Sequence, residues 1–401
     1  MSRVVLENSA LCGGIELPLS KSYAHRALIC SYLSGKMISI DGGLSQDISA
    51  TQNALLSLEK GGCIDCGESG STLRFLIPIA AALGKEITFT GRGKLPQRPL
   101  GEYLRLLPEH GVKCESKGGL PLKISGKLKA GEYSLSGDVS SQYVTGLLFS
   151  LPLLEGDSEI VLTSALQSKP YVDMTVEIMA RFGIIITETE RGYKIRGNQK
   201  YIYTDYTVER DWSQAAFFLA GGTLTGSVTL RGMNMNSLQG DKEIVDVLRR
   251  FGADITVNGD EITAKKSELC GIEIDATDIP DAVPAIAVVA AFAKGKTVIT
   301  GAERLRYKES DRLESVAKNL ERAGIDVAVT PDGLIITGGR VKGAEFLGFN
   351  DHRIVMAFSI AALRAEGKSV ITDALSINKS YPDFFRDYRK LGGKADVICN
   401  G

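Results

Sequence analysis

Apolar and polar positions along this chain follow a repeating schedule. A nearly all-apolar stretch ends at a glycine and gives way to residues of alternating polarity. This occurs at Ser34-Gly35-Lys36-Met37-Ile38-Ser39-Ile40, Leu83-Gly84-Lys85-Glu86-Ile87-Thr88-Phe89, Glu155-Gly156, Thr225-Gly226, Lys294-Gly295-Lys296-Thr297-Val298-Ile299 and Glu366-Gly367-Lys368-Ser369-Val370-Ile371. The six glycines are 49, 72, 70, 69 and 72 residues apart. A second signal, an amphipathic run closed by glycine and followed by alternation, ends at Gly61, Gly111, Gly183, Gly252, Gly324 and Gly393, between 26 and 29 residues after its partner each time. A fixed period of this kind marks repeated supersecondary units. Each unit therefore reads helix, strand, helix and two-stranded hairpin, six times over, with glycine in the left-handed position that ends a helix. First helices such as Ala285-Ile286-Ala287-Val288-Val289-Ala290-Ala291-Phe292 are apolar all round and belong inside a domain. Second helices such as Asp246-Val247-Leu248-Arg249-Arg250 have one apolar face and belong outside.

The two ends of the schedule do not balance. The sixth unit stops at Lys394-Ala395-Asp396-Val397-Ile398-Cys399 without a returning strand, while Arg3-Val4-Val5-Leu6 and Ile15-Glu16-Leu17 are strands without a unit. An unpaired sheet edge is a liability, so the N-terminal strands are expected to complete the sixth unit. Three units then make each of two α/β domains: residues 20–208 form one, and residues 1–19 with 209–401 form the other. The chain crosses between them near Leu19-Ser20 and Tyr206-Thr207-Val208-Glu209.

Composition narrows the function. The 47 basic and 48 acidic residues balance, which argues against a non-specific nucleic-acid binder or a membrane-surface protein. The longest apolar run, Ala282 to Ala293, is interrupted by Pro284 and is too short to span a bilayer. Met1-Ser2-Arg3-Val4-Val5-Leu6-Glu7 lacks signal-peptide character. Seven scattered cysteines with a lone Cys63-Ile64-Asp65-Cys66 read as reduced thiols in a cytoplasm. No metal-ligand cluster, Ser-His-Asp order or G-x-x-x-x-G-K-[ST] loop is present.

The repeats also align polar positions with one another. Lys21-Ser22-Tyr23-Ala24-His25-Arg26, Ser69-Gly70-Ser71-Thr72-Leu73-Arg74, Ser140-Ser141-Gln142, Asp211-Trp212-Ser213, Ile279-Pro280-Asp281-Ala282 and Asn350-Asp351-His352-Arg353 open the apolar helices. Gln97-Arg98, Ser168-Lys169-Pro170-Tyr171, Lys308-Glu309 with Arg312, and Asn378-Lys379 lead into the second ones. Ser, Asp and Asn at a helix start need no functional reason, because they cap it. Arg and Lys do need one, since the helix dipole disfavours a cation there. Free N–H groups with Lys21, Arg26, Arg74, Arg312 and Arg353 make anion sites, and a ligand of several anionic groups held between two domains is expected. Lys308 and Arg312, spaced i, i+4, can share a face. Ser310 or Asp311 is a candidate cap for the following helix. Asp281 reads equally as a cap or as an acid–base group. Glu309, beside Lys308, is the better candidate for proton transfer. Asp47 reads as a cap only, and His25 and His352 as hydrogen-bonding residues.

Lys21-Ser22 with Arg26-Ala27, Gly67-Glu68-Ser69-Gly70-Ser71-Thr72-Leu73-Arg74, Gln97-Arg98-Pro99, Ser140-Ser141-Gln142, Ser168-Lys169-Pro170-Tyr171, Pro280-Asp281-Ala282, Lys308-Glu309-Ser310-Asp311-Arg312, Asn350-Asp351-His352-Arg353 and Lys379 closely resemble the 5-enolpyruvylshikimate-3-phosphate synthase family, the 3-phosphoshikimate 1-carboxyvinyltransferases. The likeness runs in order from Lys21 to Pro382. It implies two inside-out α/β domains of three βαβαββ units each. The implied activity is transfer of the enolpyruvyl group of phosphoenolpyruvate to the 5-hydroxyl of shikimate 3-phosphate, by addition and elimination in a closing cleft, within aromatic amino acid biosynthesis. By the same resemblance Lys21, Ser22, Arg26, Ser140, Ser141, Gln142, Ser168, Tyr171, Asp281 and Lys308 bind shikimate 3-phosphate, mostly on the 20–208 domain. Lys21, Gly70, Arg98, Gln142, Arg312, Arg353 and Lys379 bind phosphoenolpyruvate. Asp281 and Glu309, with Lys21, are catalytic: Asp281 takes the hydroxyl proton and Glu309 exchanges one with the methylene carbon. No metal or cofactor is implied, and the expected form is a cytoplasmic monomer without nucleic-acid or membrane partners.

Glu68, Phe75 and Arg304 depart from the family pattern, which leaves the response to glyphosate open. Two alternatives stand beside this reading. A UDP-N-acetylglucosamine enolpyruvyl transferase would usually carry a cysteine in the loop Arg92-Gly93-Lys94-Leu95-Pro96-Gln97-Arg98, and none is present. A non-catalytic phosphate-binding scaffold would need a basic stripe that the net charge of −1 does not supply.

Overall fold

The computed structural model describes residues 2–40 and 44–399. Residues up to Ser20 together with those from Glu209 onward form one compact unit, and Lys21–Val208 forms another. In the second, the strand Gly62–Asp65 leads into the helix Gly70–Ala82, the strand Ile87–Thr90, the helix Gly101–Glu109 and the strands Val112–Glu115 and Leu122–Gly126. The first strand lies parallel to the second, the fourth pairs antiparallel with the second, and the third sits on the edge. A parallel pair needs a crossover, and the apolar helix supplies it. The same order recurs from Glu132–Leu135 through Ser141–Ser150, Ser158–Leu162, Lys169–Arg181 and Ile186–Thr189 to Gly192–Ile195. It recurs again, in the other compact unit, from Glu273–Asp275 through Val283–Phe292, Lys296–Thr300, Arg312–Arg322 and Asp326–Thr330 to Gly333–Thr337. These are the expected βαβαββ repeats.

The remaining two sheets each borrow a strand from the N-terminus. Ser2–Glu7 lies between Ser369–Thr372 and Lys394–Cys399, antiparallel to both, and so takes the place of the missing returning strand. Cys12–Glu16 does not join that sheet. It runs parallel to Ser227–Arg231 and supplies the first strand of the fourth repeat, which the sequence reading had not separated from the sixth. The first repeat also differs from expectation. Its helices Lys21–Leu33 and Gln46–Lys60 form, but residues 37–40 carry no strand, and Gly61 runs directly into the next repeat at Gly62. This explains the short first interval of 49 residues, because that repeat has no hairpin. Among the described residues there are five four-stranded sheets. The last helix, Phe384–Lys390, turns off at left-handed Gly392 (φ 100°) and not at Gly393.

The apolar helices are the interior. Trp212–Thr225, Val283–Phe292 and His352–Ala362 pack on one another in their unit, and every residue from 283 to 291 is buried. In the Lys21–Val208 unit, Gly70–Ala82 packs against Ser141–Ser150. Gly146 permits that approach: a Cβ there would meet the Tyr103 hydroxyl at 2.2 Å and the Arg74 carbonyl at 2.4 Å. The surrounding helices are amphipathic, as in Arg312–Arg322, where Leu313, Val316, Ala317 and Leu320 form the buried stripe. In the three repeats traced strand by strand, the buried helix begins five to eight residues after the first strand ends, so its polar first turn lies near that strand end.

Candidate active site

Within Lys21–Val208, Lys21 is the first residue of its helix, and its Nζ lies 2.8 Å from Asp47 Oδ2. Asp47 is therefore not the cap expected of it. Ser45 caps that helix through its hydroxyl, leaving the carboxylate of Asp47 for the lysine. Arg26 is 3 % exposed and donates to Thr175 Oγ1 at 2.8 Å, to the Ser22 carbonyl at 2.7 Å and to the Tyr171 carbonyl at 2.7 Å. Its guanidinium also lies over the Phe75 ring, 5.4 Å from the centroid. All these partners are neutral, and burial pulls the Arg26 pKa down to about 10. Arg74 donates to Gln142 Oε1 at 2.7 Å and to the Pro99 carbonyl at 2.9 Å, and Gln142 Nε2 donates to Ser71 Oγ at 3.0 Å. Ser140 caps the helix that begins at Ser141, which places Gln142 in its first turn. The Arg98 guanidinium lies against Gly70, where a Cβ would stand 2.7 Å from Nη1. Ser168 holds left-handed backbone (φ 55°) at the start of Lys169–Arg181, at a cost of about 1–3 kcal/mol for a non-glycine residue. His25 bonds Thr51 Oγ1 through Nδ1 at 2.7 Å, and a hydroxyl chain continues through Thr72 to Ser69. Burial, then the charges of Lys21 and Arg26, hold the His25 pKa well below its ordinary value, so the ring is neutral at pH 7.

In the other unit Asp281, Glu309 and Asp351 lie against Lys308, Arg312 and Arg353. Asp281 is not a helix cap: the helix Val283–Phe292 starts at Ala282 without a side-chain cap. Asp281 instead accepts from Arg312 Nη1 at 2.8 Å and Arg353 Nη2 at 3.2 Å, with Lys308 Nζ 3.6 Å away. Arg312 also donates to Glu309 Oε2 at 2.7 Å and to Asp351 Oδ2 at 2.9 Å. Burial alone would lower the Arg312 pKa, but Asp351, Glu309 and Asp281 outweigh it and hold the pKa well above the ordinary value. Asp311 caps Arg312–Arg322, and the Ser310 hydroxyl turns to Asp351 Oδ2 at 3.0 Å. Lys308 lies outside that helix, so it does not share a helix face with Arg312; the two meet at Asp281. Lys379 is buried and donates to the Asn350 carbonyl at 2.5 Å. That carbonyl is presented by two consecutive left-handed residues, Phe349 (φ 53°) and Asn350 (φ 50°).

The sequence model described as EPSP synthase (3-phosphoshikimate 1-carboxyvinyltransferase) matches residues 58–388, well over half of the chain. The chain belongs to the EPSP synthase family. The 3-phosphoshikimate 1-carboxyvinyltransferase of Clostridium novyi (strain NT) is 43 % identical over 434 residues and covers 100 % of both chains. That of Clostridioides difficile (strain 630) is 40 % identical over 431 residues and covers 99 % of each. The structure of EPSP synthase from Acinetobacter baumannii superimposes with a TM-score of 0.81 at 27 % identity over the full length of both chains. The enolpyruvyl transferase NikO from Streptomyces tendae shares the fold, with a TM-score of 0.77 at 17 % identity over 100 % of this chain and 99 % of its own.

The departures from the family pattern now have places. Phe75 is fully buried, edge-on to His25 and Phe149 and beneath Arg26. Glu68 folds over Gly93, where a Cβ would lie 2.3 Å from Oε2. Arg304 donates to the Thr277 carbonyl at 2.6 Å. Asp351 is the residue whose importance the sequence reading missed. It is 0 % exposed, caps its helix by accepting from the Arg353 N–H at 2.9 Å, and holds Arg312 as well. Its only sequence signal was an aspartate at a helix start, which capping alone explains. Among the described residues, no group of three or more His, Cys, Asp and Glu is placed to hold a metal ion, and no helix is long and apolar enough to cross a membrane.

Proposed function

We propose that the chain transfers the carboxyvinyl group of phosphoenolpyruvate to the 5-hydroxyl of shikimate 3-phosphate and releases inorganic phosphate. The observation that carries this reading is Arg26, a cation 3 % exposed whose partners are one hydroxyl, two backbone carbonyls and an aromatic face. A buried charge without a counter-charge is expensive, and an anionic ligand offsets that cost. A phosphate carries about −1.5 to −2 charges at pH 7, and each substrate adds a carboxylate.

Ser22, Arg26, Ser140, Ser141, Ser168, Tyr171, Lys308 and Asp281 bind shikimate 3-phosphate. Gly70, Arg98, Arg312, Arg353 and Lys379 bind phosphoenolpyruvate, and Lys21 and Gln142 touch both ligands. In the addition step the 5-oxygen bonds to C2 of phosphoenolpyruvate, Asp281 takes the hydroxyl proton, and C3 gains one from Glu309. In the elimination step a C3 proton returns to Glu309 as the C2–O bond to phosphate breaks, and the proton held by Asp281 passes to the leaving phosphate. Donors preset around the developing charge lower both barriers. These steps need neither a metal nor an organic cofactor, and the enzyme acts as a cytoplasmic monomer. The test is phosphate release from phosphoenolpyruvate that depends on shikimate 3-phosphate. Release with UDP-N-acetylglucosamine as acceptor, or with neither, would refute the reading.

A further inference from the structure

Asp241 has no part in those steps, yet it is 2 % exposed and carries a carboxyl group into the interior. It stands in the short turn Gly240–Glu243, where Oδ2 accepts from the Ser213 hydroxyl at 2.5 Å. Two residues earlier Gln239 accepts from the Trp212 N–H at 3.1 Å, so one turn grips two consecutive residues at the start of Trp212–Thr225. The Ser213 carbonyl accepts from Arg353 Nη1 at 3.1 Å, and the other arm of Arg353 reaches Asp281 Oδ2 at 3.2 Å.

We propose that Asp241 is a positioning residue for the transfer reaction, acting through Ser213 to aim the Arg353 guanidinium at Asp281 and phosphoenolpyruvate. The proposal rests on the carboxyvinyl transfer described above. Asp281 and Asp211 disfavour the charge of this carboxyl, and Arg353 and the Ser213 hydroxyl favour it. Burial first, then Asp281, push its pKa up to about 6. Such a carboxylate weakens the fold at neutral pH. The folded state binds the proton more tightly than the unfolded chain, so stability falls as pH rises from the ordinary 3.8 to about 6. A kinetic effect without a loss of stability therefore separates a positioning role from a merely structural one.

The experiment compares the full-length wild type with Asp241→Asn and Ser213→Ala, using phosphate-release kinetics, titration with each substrate and thermal melting. Asp241→Asn is expected to raise KM for phosphoenolpyruvate about tenfold, within the usual coupling inside one hydrogen-bond network. It should change kcat less and leave shikimate 3-phosphate affinity unchanged. Its melting temperature at pH 7.5 should rise by a few degrees, and the acid limb of kcat/KM near pH 6 should flatten. Ser213→Ala keeps the carboxylate and breaks the link, so it should reproduce the KM effect. A melting temperature that falls in Asp241→Asn with kinetics unchanged would overturn the proposal, as would wild-type KM in Ser213→Ala. A wild type that releases no phosphate would instead count against the reaction itself, and phosphoenolpyruvate titration of the three proteins would still report on Arg353.

Discussion

Replacing Arg26 by methionine separates a cation kept for a ligand from one kept for the fold. Burial lowers its pKa from 12.5 to about 10, which corresponds to about 3 kcal/mol spent on holding the charge. With the side chain only 3 % exposed, solvent screening does not reduce that figure much. The sign follows from linkage: the folded state binds this proton less tightly, so the cost is present at every pH below about 10 and fades above it. Methionine keeps the length over Phe75 and removes the charge. The orphaned acceptors retain other contacts: Thr175 donates to the Tyr171 carbonyl at 2.9 Å and lies 3.2 Å from Thr145 Oγ1, and Ser22 is in a helix. Relief of the charge only partly offsets the three lost hydrogen bonds of about 1.5–3 kcal/mol each, so Arg26→Met should lose on the order of 2–6 kcal/mol of stability. Shikimate 3-phosphate should bind more weakly by about 2–5 kcal/mol, the usual loss when one partner of a desolvated charge pair is removed. Chemical denaturation and isothermal titration measure the two quantities. A variant that loses several kcal/mol of stability yet binds shikimate 3-phosphate normally would show Arg26 to be a structural residue.

Asp281→Asn and Glu309→Gln should each reduce phosphate release by about 10²-fold or more. Asp281→Asn should also lower the melting temperature further than Glu309→Gln, because it strips charge from both Arg312 and Arg353; equal melting with full turnover in either variant would remove that residue from the chemistry. Gly70→Ala places a methyl group 2.7 Å from Arg98 Nη1 and should raise KM for phosphoenolpyruvate while leaving shikimate 3-phosphate titrations unchanged. His25 is neutral when folded and ordinarily charges near pH 6.5, so its contribution is lost as pH falls through 6.5. The stability gap between wild type and His25→Gln should narrow between pH 8 and pH 5, and a gap independent of pH would contradict the burial assigned to the ring.

The repeat and its glycines were readable in one dimension because they are local: an all-apolar helix, a left-handed stop and an alternating strand each occupy neighbouring residues. The cations at helix starts were readable for a different reason, since they break a rule that capping residues obey. Asp281 was ambiguous because what decides its role lies elsewhere in the chain, 31 residues on at Arg312 and 72 residues on at Arg353. Asp351 and Asp241 were hidden in the same way. Each looks like an ordinary turn or cap acid until a distant arginine or serine is folded onto it. Cys12–Glu16 was assigned to the wrong repeat because alternation identifies a strand without naming its neighbour.

The route of Ser2–Glu7 has a consequence for how the protein is made. These residues leave the ribosome early, yet their two partners, Ser369–Thr372 and Lys394–Cys399, are translated last. Lys21–Val208 can assemble while the rest is still being synthesised, whereas Ser2–Glu7 waits until nearly the whole chain has been made. At about 5–20 residues per second, that wait lasts on the order of 20–80 s. For that interval an apolar strand has both edges unpaired, a natural target for chaperones and for aberrant pairing between nascent chains on the same message. Yield in the cell should thus depend on elongation speed across residues 209–399 more than on the intrinsic stability of either compact unit.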